Sequence, residues 1–282
     1  MRAVVYSSID PAGKGIASKI IKSITCRSIK IPRSTFSCIN EELDIVLAEF
    51  REDVLYFDFL DEVFNRAGID VEYYLILSRH SATSGIKSLT VHHTGNFTSK
   101  ALYGGRPYEL GIANPPLAYG LLKELVKVKS KYDLYDFEVT YEVTHHGPTS
   151  LRRPVTFIEI GSSEREWILE RAHEALCEAV LNTLSNELPK CVPSFGVGGP
   201  HYAKIFSERA LNYAECYGHI MPRYVIKEVS GNPELMIKLF KDAISKSVPS
   251  AKTVIVLKKV KRSVKDILKK VCDEEGLEYK IV

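Results

Sequence analysis

The run 71–78 (V-E-Y-Y-L-I-L-S) restricts this chain more than any other feature, because a nearly continuous apolar stretch of that length reads as a strand covered on both faces. Residues 3–9 give a second apolar, β-branched strand. It runs into Asp10-Pro11-Ala12-Gly13 and a helix whose Ile16, Ile20 and Ile24 recur every four residues. Further strands are expected at 44–50 (where a helix is the other reading), 54–59, 89–93, 137–144, 155–160, 253–257 and 277–282. Helices are expected at 117–128, from the S-E-R-E capping box at 163–166 to about 187, and at 200–214, 233–246 and 263–272. Residues 104–116 are rich in turns, and 189–200 reads as an irregular loop. Strands alternating with helices imply an α/β protein with helices on both faces of a sheet.

Of the 282 residues, 45% are apolar and 26% charged, enough for a large core without covalent support. Disorder and low-complexity architectures are excluded. A single domain over 1–282 is expected, with an inserted lobe near 97–135. The six cysteines include no C-x-x-C pair, which removes zinc ribbons and thioredoxin-type sites and leaves buried small apolar groups as the simplest reading. No apolar run approaches ~18 residues, so no membrane span is expected. The first residues read as a strand without a cleavage site, and a cytoplasmic protein is the expectation.

A formal charge of +3 conceals strong segregation. Residues 11–40 hold six bases (Lys14, Lys19, Lys22, Arg27, Lys30, Arg33) and no acid, whereas 41–72 hold eleven acids against Arg51 and Arg66. Between 252 and 270 eight bases, Lys252, Lys258, Lys259, Lys261, Arg262, Lys265, Lys269 and Lys270, face Asp266 alone. Such a block suits a phosphate backbone through counterion release, although charge runs more often form solvated helix faces.

Histidines carry the chemistry. Two doublets, His92-His93 in V-H-H-T-G-N and His145-His146 in T-H-H-G-P-T, each close an expected strand before a glycine turn. His201 follows G-V-G-G-P, and His219 sits in Y-G-H-I-M-P. Strand ends are where open α/β sheets gather their sites, and neighbouring strand residues point to opposite faces. One member of each doublet is therefore expected to face the site. Convergent imidazoles would suit zinc with one position left for water; hydrogen-bonded turn histidines are the bland alternative. Glu159 stands in the apolar strand F-I-E-I, where a buried carboxylate needs a cation, a metal or a protonation role; pairing with Arg152 or Arg153 is the other option. Glu138 and Glu142 are expected to face solvent or to be edge residues, and His80 and His173 to be structural or on the surface.

Walker A, G-x-G-x-x-G and G-x-S-x-G motifs are absent. The amides of Gly198 and Gly199, ahead of the expected helix at 200, remain candidates to hold a phosphate or an oxyanion.

Four ordered strings, V-H-H-T-G-N (91–96), T-H-H-G-P-T-S (144–150), F-I-E-I-G-S-S-E-R-E-W (157–167) and G-V-G-G-P-H-Y-A-K (196–204), resemble the archaeal and plant type of D-aminoacyl-tRNA deacylase. The resemblance covers essentially the full chain. It implies a three-layer α/β/α fold with a mixed sheet, of the phosphorylase/hydrolase-like kind. It also implies zinc as cofactor and hydrolysis of the ester joining a D-amino acid to the tRNA 3′ end, by a monomer or small homo-oligomer. With that substrate, His93, His146 and His201 are the expected metal ligands, with His219 in reserve. Glu159 would be the general base, and His92 and His145 would orient the ligands. The basic segments would guide the polyanion, glycine-loop amides would hold the oxyanion, and a pocket shaped against the L side chain would enforce chirality. Assistance by the terminal ribose hydroxyl is the competing mechanism. A zinc peptidase or amidase of the same architecture and a non-catalytic tRNA-binding protein are the competing functions.

Overall fold

The computed structural model describes residues 1–282. The chain opens on strand β1 (Arg2–Ser7), and Asp10 then caps helix α1 (Pro11–Ser23) by accepting from the Gly13 amide at 2.9 Å, with Pro11 in the first turn. Gly13 is required here, because a Cβ would lie 2.4 Å from the Leu77 carbonyl on the strand beneath. Short β2 (Arg27–Ser28), β3 (Phe36–Asn40) and β4 (Ile45–Phe50) follow, then α2 (Leu60–Arg66), β5 (Tyr73–Ser81) and β6 (Ser88–His92). Asn114 caps α3 (Pro115–Lys131), which leads to β7 (Glu138–Tyr141) and β8 (Val155–Ser162). The second half holds α4 (Glu164–Trp167), α5 (Glu170–Leu184), β9 (Val192–Val197), α6 (Lys204–Tyr213), β10 (Glu215–Met221), α7 (Arg223–Val229), α8 (Pro233–Ser245), β11 (Thr253–Val256), α9 (Arg262–Glu275) and β12 (Glu278–Ile281).

These strands make two sheets. The larger runs β2-β3-β4-β1-β5-β8-β6-β7, and it is mixed: β4, β1, β5 and β8 are parallel, while β6 is antiparallel to β8. The smaller, β10-β9-β11-β12, is parallel throughout. One apolar core, including Leu75, Leu121, Phe195 and Val254, is continuous across both sheets, with α1, α3 and α5 contributing. A second core under α2 covers the other face of the larger sheet through Phe57, Phe64 and Tyr74. The expected three-layer α/β/α arrangement with a mixed sheet is therefore present. Residues 115–131 form α3 within the common core, and the irregular stretch before them bridges Gly95 to Leu110 and Ala113 to Ser247.

Several local expectations change. Residues 54–59 form a 3₁₀ turn rather than a strand; Asp53 caps it through the Leu55 amide at 3.1 Å, and Phe57 and Phe59 pack edge-on against Phe50. The long helix from 163 is interrupted at Ile168–Leu169. The capping box forms as expected, but the Trp167 indole donates to the His80 carbonyl and the Trp167 carbonyl meets His173 Nε2 at 2.7 Å, so tertiary anchors end the turn. The stretch 189–200 contains β9, a strand with neighbours on both sides; its Pro193 and Gly196 hide it from pattern reading, and Gly196 is needed where Phe206 presses on the backbone. Helix α6 begins at Lys204, not at Pro200, and β10 with α7 follows where no element was expected. Four cysteines are paired rather than free: Cys26–Cys38 and Cys191–Cys216, with Cα atoms 5.6 and 5.7 Å apart. Strand pairing brings these residues together, which their separation in sequence does not disclose. Cys177 and Cys272 are buried and free, as expected.

Candidate active site

The histidines gather where the larger sheet reverses direction, since β8 runs parallel to β5 and antiparallel to β6, a switch point of the kind that opens a crevice. His80 comes from β5, Glu159 from β8 and His92 from the end of β6. Glu142, just beyond β7, bridges to Tyr202, which brings His201 alongside. Glu142 is wholly buried at this centre, not solvent-facing, because β7 ends at Tyr141 and Glu142 turns under the adjoining loop; His80 is buried in the centre rather than on the surface, carried there by β5 alongside β8.

Two buried carboxylates organise the site. Glu142 Oε2 lies 2.8 Å from His201 Nε2 and 3.6 Å from His145 Nε2, and its Oε1 lies 3.1 Å from His80 Nδ1. Glu159 Oε2 lies 3.6 Å from His80 Nδ1 and 3.5 Å from His92 Nε2. Neither pairs with a lysine or arginine: Arg153 turns to Asp70 at 2.6 Å instead. Burial alone would raise the Glu159 carboxyl, but the positive charges of His92 and His80 beside it outweigh this and hold the group well below the usual range. The reciprocal effect lifts His92 and His80, against the burial that would lower them. Glu142 is likewise lowered, its hydrogen bond to His201 overcoming burial and repulsion from Glu159. The contacts of His80 with Glu142 and of His92 with Glu159 are ion pairs without hydrogen-bond alignment, so Glu142 Oε1 and His92 Nε2 remain buried without a hydrogen-bond partner.

Three imidazoles are set in one tautomer by the main chain. His92 Nδ1 donates to the His93 carbonyl at 3.2 Å, His145 Nδ1 to Val143 at 2.8 Å and His146 Nδ1 to Gly147 at 2.6 Å. In the neutral ring each such bond leaves Nε2 as the free lone pair. Ligand atoms of His92, His145 and His146 lie within 4.8 Å of one another, as do those of His80, Glu142 and His201 and those of His92, Glu142 and Glu159. Desolvation pushes His146 down to about 4, helped by His92, and drives His145 well below its ordinary value, so both stay neutral.

The first doublet divides as the strand alternation requires, but with the roles exchanged. His92 faces the cluster, while His93 points away and accepts from the Asn114 amide at 3.1 Å. His93 pairs with His219 at 6.3 Å between centroids, and His219 meets Thr144 Oγ1 at 3.1 Å and the Lys246 carbonyl at 3.0 Å. His93 and His219 therefore join the two sheets and take no place in any of the three groups. In the second doublet both rings reach the site. His146 adopts φ 44°, which cancels the alternation, and Gly147 lets the chain pass against Gly105, whose nitrogen would lie 2.3 Å from a Cβ.

A 380 Å³ cavity opens over the cluster, lined among others by Arg79, His145, His146, Glu159 and His201. The remaining candidates lie apart from it. The Gly198 amide is engaged by the Met221 carbonyl at 2.8 Å, and helix α6 begins several residues later, so the pair Gly198-Gly199 is not the helix-end anion site expected. The basic block also divides. On α9, Arg262, Lys269 and Lys270 pair with Asp266, Asp273 and Glu274, and Lys265 Nζ donates to the Lys258 carbonyl at 3.2 Å. Lys258, Lys259 and Lys261 project from the loop before α9, exposed and in no ion pair, and Lys252 is exposed at the opposite end of β11.

A family model for D-aminoacyl-tRNA deacylase matches residues 67–280, a span that contains every residue of this cluster. The chain is 44% identical over 257 residues to the D-aminoacyl-tRNA deacylase of Staphylothermus marinus, covering 91% of this chain and 90% of that one. It is 37% identical to that of Hyperthermus butylicus over 282 residues, covering 99% of both. The crystal structure of a conserved protein of unknown function superposes with a TM-score of 0.89 at 31% identity, covering 100% of this chain and 95% of the other. The fold and a match that spans most of the chain thus agree with the ordered histidine strings, and the chain belongs to the D-aminoacyl-tRNA deacylase family.

Proposed function

We propose that the chain hydrolyses the ester between a D-amino acid and the 3′ end of tRNA, releasing free D-amino acid and tRNA, with zinc held in the His/Glu cluster. The observation that carries the zinc assignment is the shared tautomer of His92, His145 and His146, whose Nδ1 donors are all tied to main-chain carbonyls while their Nε2 lone pairs converge. The donor chemistry fits the ion: imidazole nitrogens and carboxylate oxygens are zinc ligands, and two buried carboxylates with no lysine or arginine partner call for added positive charge. The orphaned His92 Nε2 and Glu142 Oε1 point the same way. His92, His145 and His146, with Glu142, His80 and His201 beside them, would hold the metal, which when bound supplies Lewis-acid polarisation and a lowered water pKa.

The chain's own groups account for the rest. Glu159, the carboxylate of the cluster that also lines the open cavity, is the base that takes a proton from the attacking water. The carbonyls of His93, Val143 and Gly147 fix the three rings so that no reorientation is needed on binding. His201, partly exposed, stands at the boundary between the buried cluster and the open cavity, where the ester would enter.

The test is release of D-tyrosine and L-tyrosine from the matching aminoacyl-tRNAs, by metal-loaded and chelator-treated protein, with metal content measured alongside. Hydrolysis confined to the D ester and lost with the metal is expected. Full activity in protein carrying no metal would remove the zinc assignment, and no release from D-tyrosyl-tRNA would remove the function.

A further inference from the structure

Three cavities lie in a row and share walls. The 380 Å³ cavity over the cluster shares His80, Ser81 and His201 with a 680 Å³ cleft, which in turn shares Gly199, Pro200, Ile205 and Leu257 with a third cavity of 620 Å³. Each falls in the range of about 300–1,000 Å³ typical of small-ligand sites. Their charges run in order. The first holds Asp10, Asp53 and Glu159 with Arg79; the second has no carboxylate; the third holds Arg209, Arg223, Lys258 and Lys259 against Glu208. Arg209 is taken up by a bidentate pair with Glu215, but Arg223, Lys258 and Lys259 enter no ion pair and are exposed. Along the same walls Ile205 is 47% and Tyr213 64% exposed, which offers apolar and aromatic surface beside the free cations.

We propose that this passage seats the unpaired 3′-terminal nucleotides of tRNA, with Arg223, Lys258 and Lys259 holding phosphates at its outer end and the aminoacyl group turned into the acidic cavity. The proposal rests on D-aminoacyl-tRNA being the substrate. Charge fixes the direction: the ammonium of an aminoacyl ester suits the end with Asp10, Asp53 and Glu159, and phosphodiesters suit the end with three unpaired bases. Unpaired bases stack on aromatic and apolar surface without regard to sequence, which suits the Ile205 and Tyr213 walls. The ester would then lie beside His80 and His201, which with Ser81 are common to the first two cavities. The lysines of α9 have intrahelical or main-chain partners and fall outside the passage.

The experiment compares R223A/K258A/K259A with K265A/K269A/K270A, which removes the same charge from α9. Substrates are D-tyrosyl-tRNA and 3′-O-D-tyrosyl-adenosine, which lacks the upstream phosphates. The first variant should raise KM for D-tyrosyl-tRNA roughly tenfold with kcat unchanged, and flatten the dependence of log KM on log salt by about 2–3. Its KM for the adenosine ester should stay within about twofold, and the α9 variant should stay within about twofold on both. An unchanged KM for tRNA in the first variant, or an equal rise in the α9 variant, would overturn the passage. If the unsubstituted chain released nothing from D-tyrosyl-tRNA, the substrate reading beneath the proposal would fail with it.

Discussion

Acidification should weaken this fold at one identifiable joint, the His93–His219 pair. Asn114, which caps α3, donates its amide to His93 Nε2. The Lys246 carbonyl can only accept, so His219 Nε2 carries the proton, and Nδ1 of the neutral ring accepts from the Thr144 hydroxyl, which itself accepts from the Ile220 amide. His93 is likewise an acceptor, and burial keeps both rings neutral. Burial pushes His93 down to about 3, with the His219 charge adding to it, and pushes His219 down to about 4. In the unfolded chain both titrate near 6.5, so as pH falls the unfolded state gains protons that the native state does not, and stability falls with it. The loss begins near 6.5 and continues until the native rings titrate, near 4 and 3. At about pH 5.5 it does not depend on how deep the native values lie: each ring costs about 1.4 kcal/mol, about 3 kcal/mol together. Urea unfolding of metal-stripped protein at about pH 7.5 and about pH 5.5 measures this, with H93Q/H219Q as the comparison. Glutamine can still accept from Asn114 but cannot titrate. The unsubstituted chain should lose about 3 kcal/mol more than the double variant over that interval. Equal losses in the two proteins would mean that these rings are not the neutral joint described.

Glu142→Gln should weaken zinc binding by roughly tenfold or more, because an amide cannot offset the positive charge that the buried carboxylate faces from the metal and from His80. A competitive chelator titration reads this directly, and an unchanged Kd would exclude Glu142 from the metal centre. C191S/C216S should unfold at lower urea, with a loss of about 3 kcal/mol for removing a crosslink across a separation of 25 residues. Coincident unfolding curves for this variant and the oxidised parent would show that the link contributes nothing.

Legibility in the sequence followed the range of the forces involved. The Ser163 capping box, the apolar runs of β1, β5 and β8, the periodic face of α1 and the helices α3 and α8 are settled by neighbours within a few residues, and the chain forms them where pattern reading places them. Strand β9 escaped, because Pro193 and Gly196 are tolerated there only by the packing of Phe206 and the flanking strands. The four ordered strings, three of them carrying histidine, pointed to the family, and Glu159 was visible as a carboxylate in an apolar strand.

The membership of the site was a tertiary decision. Alternation correctly sends His92 and His93 to opposite faces, but which face is the active one depends on β6 running antiparallel to β8, a pairing between residues about seventy positions apart in the chain. The left-handed turn at His146, the burial of Glu142 under Tyr202 and the recruitment of His80 from β5 likewise depend on contacts that the chain makes only when folded. Residue types fix what chemistry is available, since imidazole and carboxylate are the same groups wherever they stand. Their charge states and convergence are fixed by burial and by distant partners, and those exist only once the two sheets have closed on one another.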